Sequence, residues 1–237
     1  MDEQQIENML EEELKDELEK NEADGSENSS EEKGSAFSDF LDIVESIITS
    51  IFVVLLIFTF VCRPVTVDGG SMNPTLTDKD KLLMLTFMCT PEQGDIVIVD
   101  NKYGYTYKDD SQTELIQTQG LAPAAGEDSK KIIKRVIATA GQTVDIDEEK
   151  GDVIVDGKVL EDGYVLMNPD GTKQAISAGN AFTYPLTVPE GYIFVLGDNR
   201  NNSTDSRSTF VGFVKNEDVI GEAILRFYPF GDFKLLD

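Results

Sequence analysis

The 237-residue sequence contains no histidine. Without an imidazole, Ser-His-Asp triads, Cys-His dyads and HExxH zinc sites are all excluded. Any proton transfer near neutral pH must then use a carboxylate, a tyrosine, bound water or a lysine of depressed pKa. Cysteine is almost as scarce. Cys62 and Cys89 are the only two, with no CxxC pair and too few to build a disulfide framework. Cys62 ends an apolar run and reads as a small buried hydrophobe, and cysteine usage leaves the compartment open.

Positive charge is also in short supply, with 20 Lys and Arg against 45 Asp and Glu and a formal net charge of −25. Residues 1–35 hold 14 acidic residues against three lysines, and residues 64–237 still carry −12. No basic stripe is present. Phosphate binding relies on Lys and Arg to neutralise the backbone and release counterions, so nucleic acid is excluded as a partner.

What remains is a chain long enough for one sizeable folded domain plus a tail or membrane segment. Ile6, Met9, Leu10, Leu14 and Leu18 recur at three- and four-residue spacings, the period of one helix face. That period is compatible with a partner-binding helix and with a marginal helix in a solvated acidic tail. Residues 21–35 are polar, contain Gly and Ser, and lack the apolar surface needed to offset ordering, so they read as a flexible linker.

Ser46–Cys62 follows as 17 residues without a charge, between Glu45 and Arg63. At about 1.5 Å per helical residue against a hydrocarbon core of about 30 Å, this run is at the short end of spanning length. Phe37, Phe40, Leu41, Ile43 and Val44 extend it. A cleaved signal peptide expects a basic N-terminal region and an Ala-x-Ala-like site after the run. Here an acidic tail precedes it and Cys-Arg-Pro-Val follows, so an uncleaved signal anchor fits better. Lys33 on one side and Arg63, Lys79 and Lys81 on the other leave its orientation open.

From residue 64 the pattern becomes short Val/Ile/Phe/Tyr-rich runs separated by Gly, Asp-Gly and Pro-Asp-Gly turns. This predicts a mainly β domain. Residues 101–130, with Tyr103, Tyr105 and Tyr107 alternating, and residues 163–187 fit the scheme poorly. They are expected to be loops or small hairpins at the edge of the sheet.

Three segments carry candidate chemistry. Gly69-Gly70-Ser71-Met72-Asn73-Pro74 combines glycines, a serine and a proline in a way that lets a sharp turn present Ser71. Lys134 stands inside the β-branched strand Lys131–Gly141. Alternation places Ile132, Lys134, Val136 and Ala138 on one face and Ile133, Arg135, Ile137 and Thr139 on the other. If the first face is the core, desolvation lowers the lysine pKa toward that of a useful base. Residues 197–214 are a dense polar segment after an apolar strand, with Asp198, Asn199, Ser203, Asp205, Ser206 and Arg207 available for an Asx-rich loop.

Taken in order, CRPVTVDGGSMNPTL, GDIVIV, KRVIATAG, VPEGYIFVLGDNRNNSTDSR and GFV resemble the bacterial type I signal peptidases, a Ser-Lys serine protease family. The resemblance spans about residues 60–230. It implies that Ser71 is the nucleophile, Lys134 its general base and Ser203 the residue that orients the lysine. Asp205 and Arg207 correspond to a pair that braces the loop, and Gly69, Gly70 and Met72 to substrate-binding positions. The fold implied is a signal-peptidase-like β-sheet catalytic domain with a smaller β cap.

The same resemblance implies an acidic, largely disordered cytoplasmic tail over 1–35 and a transmembrane anchor over 36–62. It implies an extracytoplasmic peptidase domain over 63–237, with the cap at about 142–190. The substrates would be signal peptides of exported preproteins, cut after Ala-x-Ala-like residues, with membrane lipid and the secretion machinery as partners and no cofactor or metal. Two departures stand out. Gly69 occupies a position where some members carry an oxyanion-binding hydroxyl. Ala138-Thr139-Ala140-Gly141-Gln142 replaces the usual Gly-x-Pro-Gly-Asp.

Competing readings are a self-cleaving repressor-type Ser-Lys protease, a catalytically silent membrane-tethered binding protein of the same fold, and a specialised pilus-associated peptidase. The membrane segment and the charge disfavour the first, and the joint presence of Ser71, Lys134 and Ser203 disfavours the second.

Overall fold

The computed structural model describes residue 15, residues 39–86 and residues 90–236. The expected amphipathic helix near the N-terminus, the linker over 21–35, Phe37 and Cys89 lie outside the described residues. The chain divides into two units, Met1–Leu56 and Ile57–Asp237.

In the first unit begins the helix α1, Asp39–Phe60, whose 22 residues are long and apolar enough to cross a membrane. At about 1.5 Å per residue it measures roughly 33 Å. Its large side chains, from Phe40 and Leu41 to Phe58 and Phe60, are exposed in the protein alone, with Val44 half-buried. A helix whose apolar side chains are exposed on every side is suited to lipid.

The helix ends two residues earlier than the charge-free run. Cys62 is instead half-buried in the first strand. Pro64 disfavours helical backbone at Arg63, and Thr86 Oγ1 donates to the Phe60 and Val61 carbonyls at 3.1 and 3.3 Å, which satisfies the orphaned end.

The second unit is built from antiparallel strands. Those of the main sheet are β1 (Cys62–Thr66), β2 (Lys81–Leu85), β3 (Ile96–Asn101), β6 (Lys130–Thr139), β11 (Tyr192–Leu196), β12 (Val214–Lys215), β13 (Val219–Tyr228) and β14 (Lys234–Leu235). Their order is β1-β2-β13-β3-β6-β11-β12, with β14 against β13. A second sheet runs β10-β7-β8-β9, from β7 (Thr143–Asp147), β8 (Asp152–Val155), β9 (Lys158–Val159) and β10 (Leu186–Thr187). A two-stranded ribbon joins β4 (Tyr103–Tyr107) to β5 (Leu115–Gln119).

Local sequence explains several of these elements. β8 and β9 are joined by Asp156-Gly157, both at positive φ (52° and 75°), the backbone that a tight hairpin of twisted strands demands. The Ala-Gly-Gln departure after β6 is closed by Gln142. Its Oε1 accepts from the Thr139 N–H at 2.9 Å, and its amide donates to Asp156 at 3.0 Å.

Both faces of β6 are covered. Ile132 and Val136 pack with Val97, Val99, Ile193 and Val195, while Ile133 packs with Met72, Ile96 and Ile98 on the other side. The simple alternation along β6 holds as far as Val136. There a register shift opposite Phe194 and Val195 inserts Ile137, and Ala138 joins Ile137 in a different cluster. Such a bulge adds one residue and resets which side chain faces where.

The same cluster welds the small sheet to the large one. Val144, Val153, Ile176 and Leu186 meet Phe194 and Phe213, each such buried side chain contributing roughly 1.5–3 kcal/mol. Tyr105 and Tyr107 pack edge-to-face on Tyr192 and Phe213 at 5.4 and 5.3 Å between centroids. The tyrosine alternation is therefore a packing stripe that holds the ribbon to the sheet.

One feature of the topology matters most for function. β3 pairs with β6 from Lys130 to Arg135, but β11 pairs with it only from Arg135 to Thr139. Among the described strands, one edge of residues 130–134 carries no partner. An unpaired strand edge is a template for an added strand.

Candidate active site

The chain from β1 to β2 forms a tight turn around Ser71. Gly69 adopts φ +89°, a conformation that suits glycine, and its N–H donates to Asp78 Oδ1 at 2.9 Å. Asn73 N–H closes the turn on the Gly70 carbonyl at 3.2 Å. Met72 and Leu76, both fully buried beside Val67, Leu82 and Met84, anchor it. Among the described residues, nothing accepts a hydrogen bond from the Ser71 N–H.

Lys134 arrives from β6 and is only 3 % exposed. Its Nζ donates to Ser71 Oγ at 2.9 Å and to the Ile133 carbonyl at 2.8 Å. Burial brings its pKa from 10.5 down to about 8, against the opposing pull of the Asp205 and Asp198 carboxylates. The pair therefore places a hydroxyl beside an amine that holds a substantial neutral fraction near pH 8.

The loop after β11 supports this pair from beneath. Asn199 N–H donates to the Ser71 carbonyl at 3.0 Å, and Asn199 Nδ2 donates to the Gly70 carbonyl at 3.1 Å. Gly197 permits this approach. A Cβ there would lie 2.2 Å from Ser203 Oγ and 2.5 Å from the Ser71 carbonyl oxygen.

Ser203 itself is brought close to this point, but among the described residues its buried hydroxyl has no hydrogen-bond partner, and Lys134 Nζ donates to Ser71 and Ile133. The orienting contact expected between Ser203 and Lys134 is not formed in this structure.

Asp205 and Arg207 form a buried bidentate pair, with Nε–Oδ1 and Nη2–Oδ2 both at 2.8 Å. Asp205 also accepts from the Gly197 N–H at 3.1 Å, which ties the pair to the floor of the site. Burial pushes the Asp205 pKa up, but hydrogen bonds and charge from Arg207 outweigh that, and the net direction is down. Arg207 reaches on to the carbonyls of Arg200 and Ser177.

A second buried bidentate pair joins Arg135 to Asp198 at 2.9 and 2.8 Å, with the Arg135 guanidinium 4.0 Å from the centre of the Tyr164 ring. Asp198 and Asn199 are singled out by pattern only as members of an Asx-rich loop; the close approach at Gly197, the hold of Asn199 on Gly70 and Ser71, and the pairing of Asp198 with Arg135 are what pattern reading missed. The run Gly197-Asp198-Asn199 directly after an apolar strand was the available signal.

Ser71 and Lys134 line a groove of about 630 Å3. Gly69, Gly70 and Met72 line it, as do Val65, Ile98 and Ile132. Its two walls run in the same direction. Lys130 faces Asp68 at 3.9 Å at one end, and Lys134 meets Ser71 at the other. The partnerless edge of β6 forms one wall.

The sequence model of the signal peptidase, peptidase S26, family matches residues 40–228. The chain belongs to that family. Family membership makes it a serine peptidase, and the match includes both the apolar helix and the Ser71–Lys134 site. Among similar proteins, a probable signal peptidase I-1 of Synechocystis sp. is 34 % identical over 77 % of this chain and 80 % of its own length. A signal peptidase I of Bacillus licheniformis is 30 % identical over 89 % of this chain and 98 % of its own. A solved signal peptidase I from Enterococcus faecalis superposes with a TM-score of 0.38 at 26 % identity, covering 56 % of this chain and 97 % of that one.

Proposed function

We propose that this protein is a membrane-bound endopeptidase that removes signal peptides from exported preproteins through a Ser71–Lys134 dyad. The observation that carries the mechanism is the 2.9 Å contact between Lys134 Nζ and Ser71 Oγ, with the lysine desolvated enough to be a base. The substrate class is supported by the names of the family and of its relatives.

The neutral Lys134 amine takes the Ser71 hydroxyl proton as Oγ attacks the scissile carbonyl. The Ser71 N–H donates to the developing oxyanion, a role that Gly69, lacking a hydroxyl, does not share. Collapse expels the new N-terminus of the mature protein, which takes the proton from Lys134 and leaves the signal peptide as an ester on Ser71. Lys134 then deprotonates a water, which cleaves the ester and restores the hydroxyl.

The signal peptide lies in the groove as an added strand on the edge of β6 that, over residues 130–134, faces away from β3 and carries no partner among the described strands. Small side chains before the cut fit a groove whose walls close to hydrogen-bonding distance at the dyad. The helix α1 holds the enzyme in the membrane where such substrates emerge, with the acidic tail cytoplasmic, the catalytic unit outside and the secretion machinery as its neighbour.

Cleavage of a fluorogenic Ala-x-Ala peptide by the detergent-solubilised chain tests this directly. Activity that Ser71→Ala and Lys134→Ala each abolish supports the dyad. An inactive wild type favours the silent binding protein, and an undiminished Lys134→Ala variant requires another base.

A further inference from the structure

Alanines stand two apart at only two places in the chain, Ala122-Pro123-Ala124 and Ala138-Thr139-Ala140. The second pair is closed to a peptidase, because Ala138 is fully buried in β6 and paired with Phe194. The first is open. Residues 122–128 lie between the β4–β5 ribbon and β6, and Ala122, Pro123, Ala124 and Ala125 are all exposed.

Little holds this segment in place. Among the described residues, the one hydrogen bond made by residues 122–128 runs from the Glu127 N–H to the Ala124 carbonyl at 3.0 Å. Gly126 stands in that turn at φ +89°, with open space where a Cβ would lie. Exposed loops with few backbone bonds are where proteases cut, since a short stretch can straighten without disturbing the core. Pro123 fixes its own φ and keeps Ala122 away from helical backbone. Ala122-Pro123-Ala124 is therefore already biased toward the extended shape of an added strand.

The flanks of the loop, by contrast, are fixed. The Leu121 N–H donates to Asn101 Oδ1 at 2.8 Å, and Lys130 opens β6 opposite the same asparagine, which is 1 % exposed. Lys134 stands four residues further along β6, about 13 Å at about 3.3 Å per extended residue. The three steps from Leu121 to Ala124 span at most about 11 Å. Sliding more chain into the groove would break the bonds of Gly120 to Lys102 and of Leu121 to Asn101. The loop thus falls short of its own dyad, and the Ser71 that reaches it belongs to a second copy.

We propose that Ala122-Pro123-Ala124 is a processing site at which one copy of this peptidase cuts another, between Ala124 and Ala125. This rests on the signal-peptide reading above and extends it to a substrate that is the enzyme itself. Ser71 Oγ of one copy attacks the Ala124 carbonyl of the other. The Ala124–Ala125 bond breaks, and the Ala125 amine leaves with the proton that Lys134 took from Ser71. Water then cleaves the ester, which gives a carboxylate at Ala124 and restores the serine. The cut separates the part of the chain that carries Ser71 from the part that carries Lys134, and the pairing of β3 with β6 over Ile96–Asn101 keeps the two together.

The test incubates the full chain in detergent at several concentrations and follows it by intact mass and N-terminal sequencing. A fragment beginning Ala125-Gly126-Glu127 should accumulate from the wild type, at an initial rate per molecule that rises in proportion to concentration. Ser71→Ala alone should stay whole, yet be cut at the same bond when wild type is added. Ala124→Phe should slow the cut at least about 100-fold, the scale on which a small pocket rejects a large side chain, while its activity on the fluorogenic peptide stays within about twofold. Ala125→Pro supplies a second block at the same bond should the phenylalanine variant fold poorly.

A wild type that cuts the fluorogenic peptide but leaves its own Ala124–Ala125 bond whole would overturn the proposal. So would a fragment that forms equally from Ser71→Ala alone, or at a rate per molecule independent of concentration. A wild type that cuts neither the peptide nor its own chain would sink the functional reading itself, and the proposal with it.

Discussion

The Asn199 amide nitrogen lies 3.0 Å from the carbonyl oxygen of Ser71, so the loop after β11 holds the nucleophile's own peptide unit. The side chain of the same asparagine holds the preceding unit, through Gly70. Ser71 Oγ is thus fixed relative to Lys134 by a loop that starts 63 residues further along than Lys134 itself. Removing the side-chain bond with Asn199→Ala should lower kcat by about 10- to 100-fold with little change in KM, because small misplacements of reacting groups carry costs of that size. Steady-state kinetics on the fluorogenic peptide will show whether kcat alone responds.

Gly197 makes the stronger steric claim. A methyl group there meets Ser203 Oγ at 2.2 Å and the Ser71 carbonyl at 2.5 Å. Gly197→Ala should therefore cost at least about 100-fold in kcat/KM. The folded state should persist, since the conflict can be relieved by shifting the polar loop. Circular dichroism and kinetics on the same sample separate loss of geometry from loss of fold.

The lysine sets the pH profile. With its pKa at about 8, the fraction of neutral amine rises with pH, so kcat/KM should climb through about pH 8 and level off above it. Asp205 and Asp198 act in the opposite sense to burial by favouring the ammonium. Asp205→Asn should accordingly move the rising limb to lower pH, and a limb that stays put or moves up would contradict this electrostatic assignment.

Much of this arrangement can be read from residues alone, and the boundary is physical. The strands follow from β-branched runs and Asp-Gly turns, and Ser71, Lys134, Asp205 and Arg207 stand in recognisable local patterns. The contacts of Ser203 were not readable. Its neighbours depend on how closely Gly197 lets two loops approach, which is a property of the packed backbone. The bulge at Ile137 escaped for a similar reason, since alternation has no term for a register shift set by the neighbouring strand.

The buried Asp205–Arg207 pair supplies a stability prediction. Deleting the guanidinium with Arg207→Ala leaves a carboxylate without its partner, which typically costs about 3–5 kcal/mol. In the intact protein the Asp205 pKa is depressed, so its contribution is present above the ordinary carboxylate range and is lost as pH falls through its folded value. In the variant, denaturant midpoints should fall at neutral pH and the deficit should narrow in acid, where the unpaired carboxyl can take a proton.

Lys134 predicts the opposite kind of change. Holding its pKa at about 8 against 10.5 when unfolded corresponds to roughly 3 kcal/mol of destabilisation while the amine is charged in both states. Below pH 8 the full penalty applies. Between pH 8 and 10.5 the folded lysine sheds its proton first, so the unfolded chain binds more protons and stability rises with pH; above 10.5 the penalty has gone. Lys134→Met, similar in length and without charge, should therefore abolish activity while raising the denaturation midpoint at pH 6–7, with the gain shrinking toward pH 10. A variant that is inactive and no more stable at pH 6 would mean that the charged amine is better solvated than its 3 % exposure implies. The base would then be chemically ordinary, and the rate would have to come from position alone.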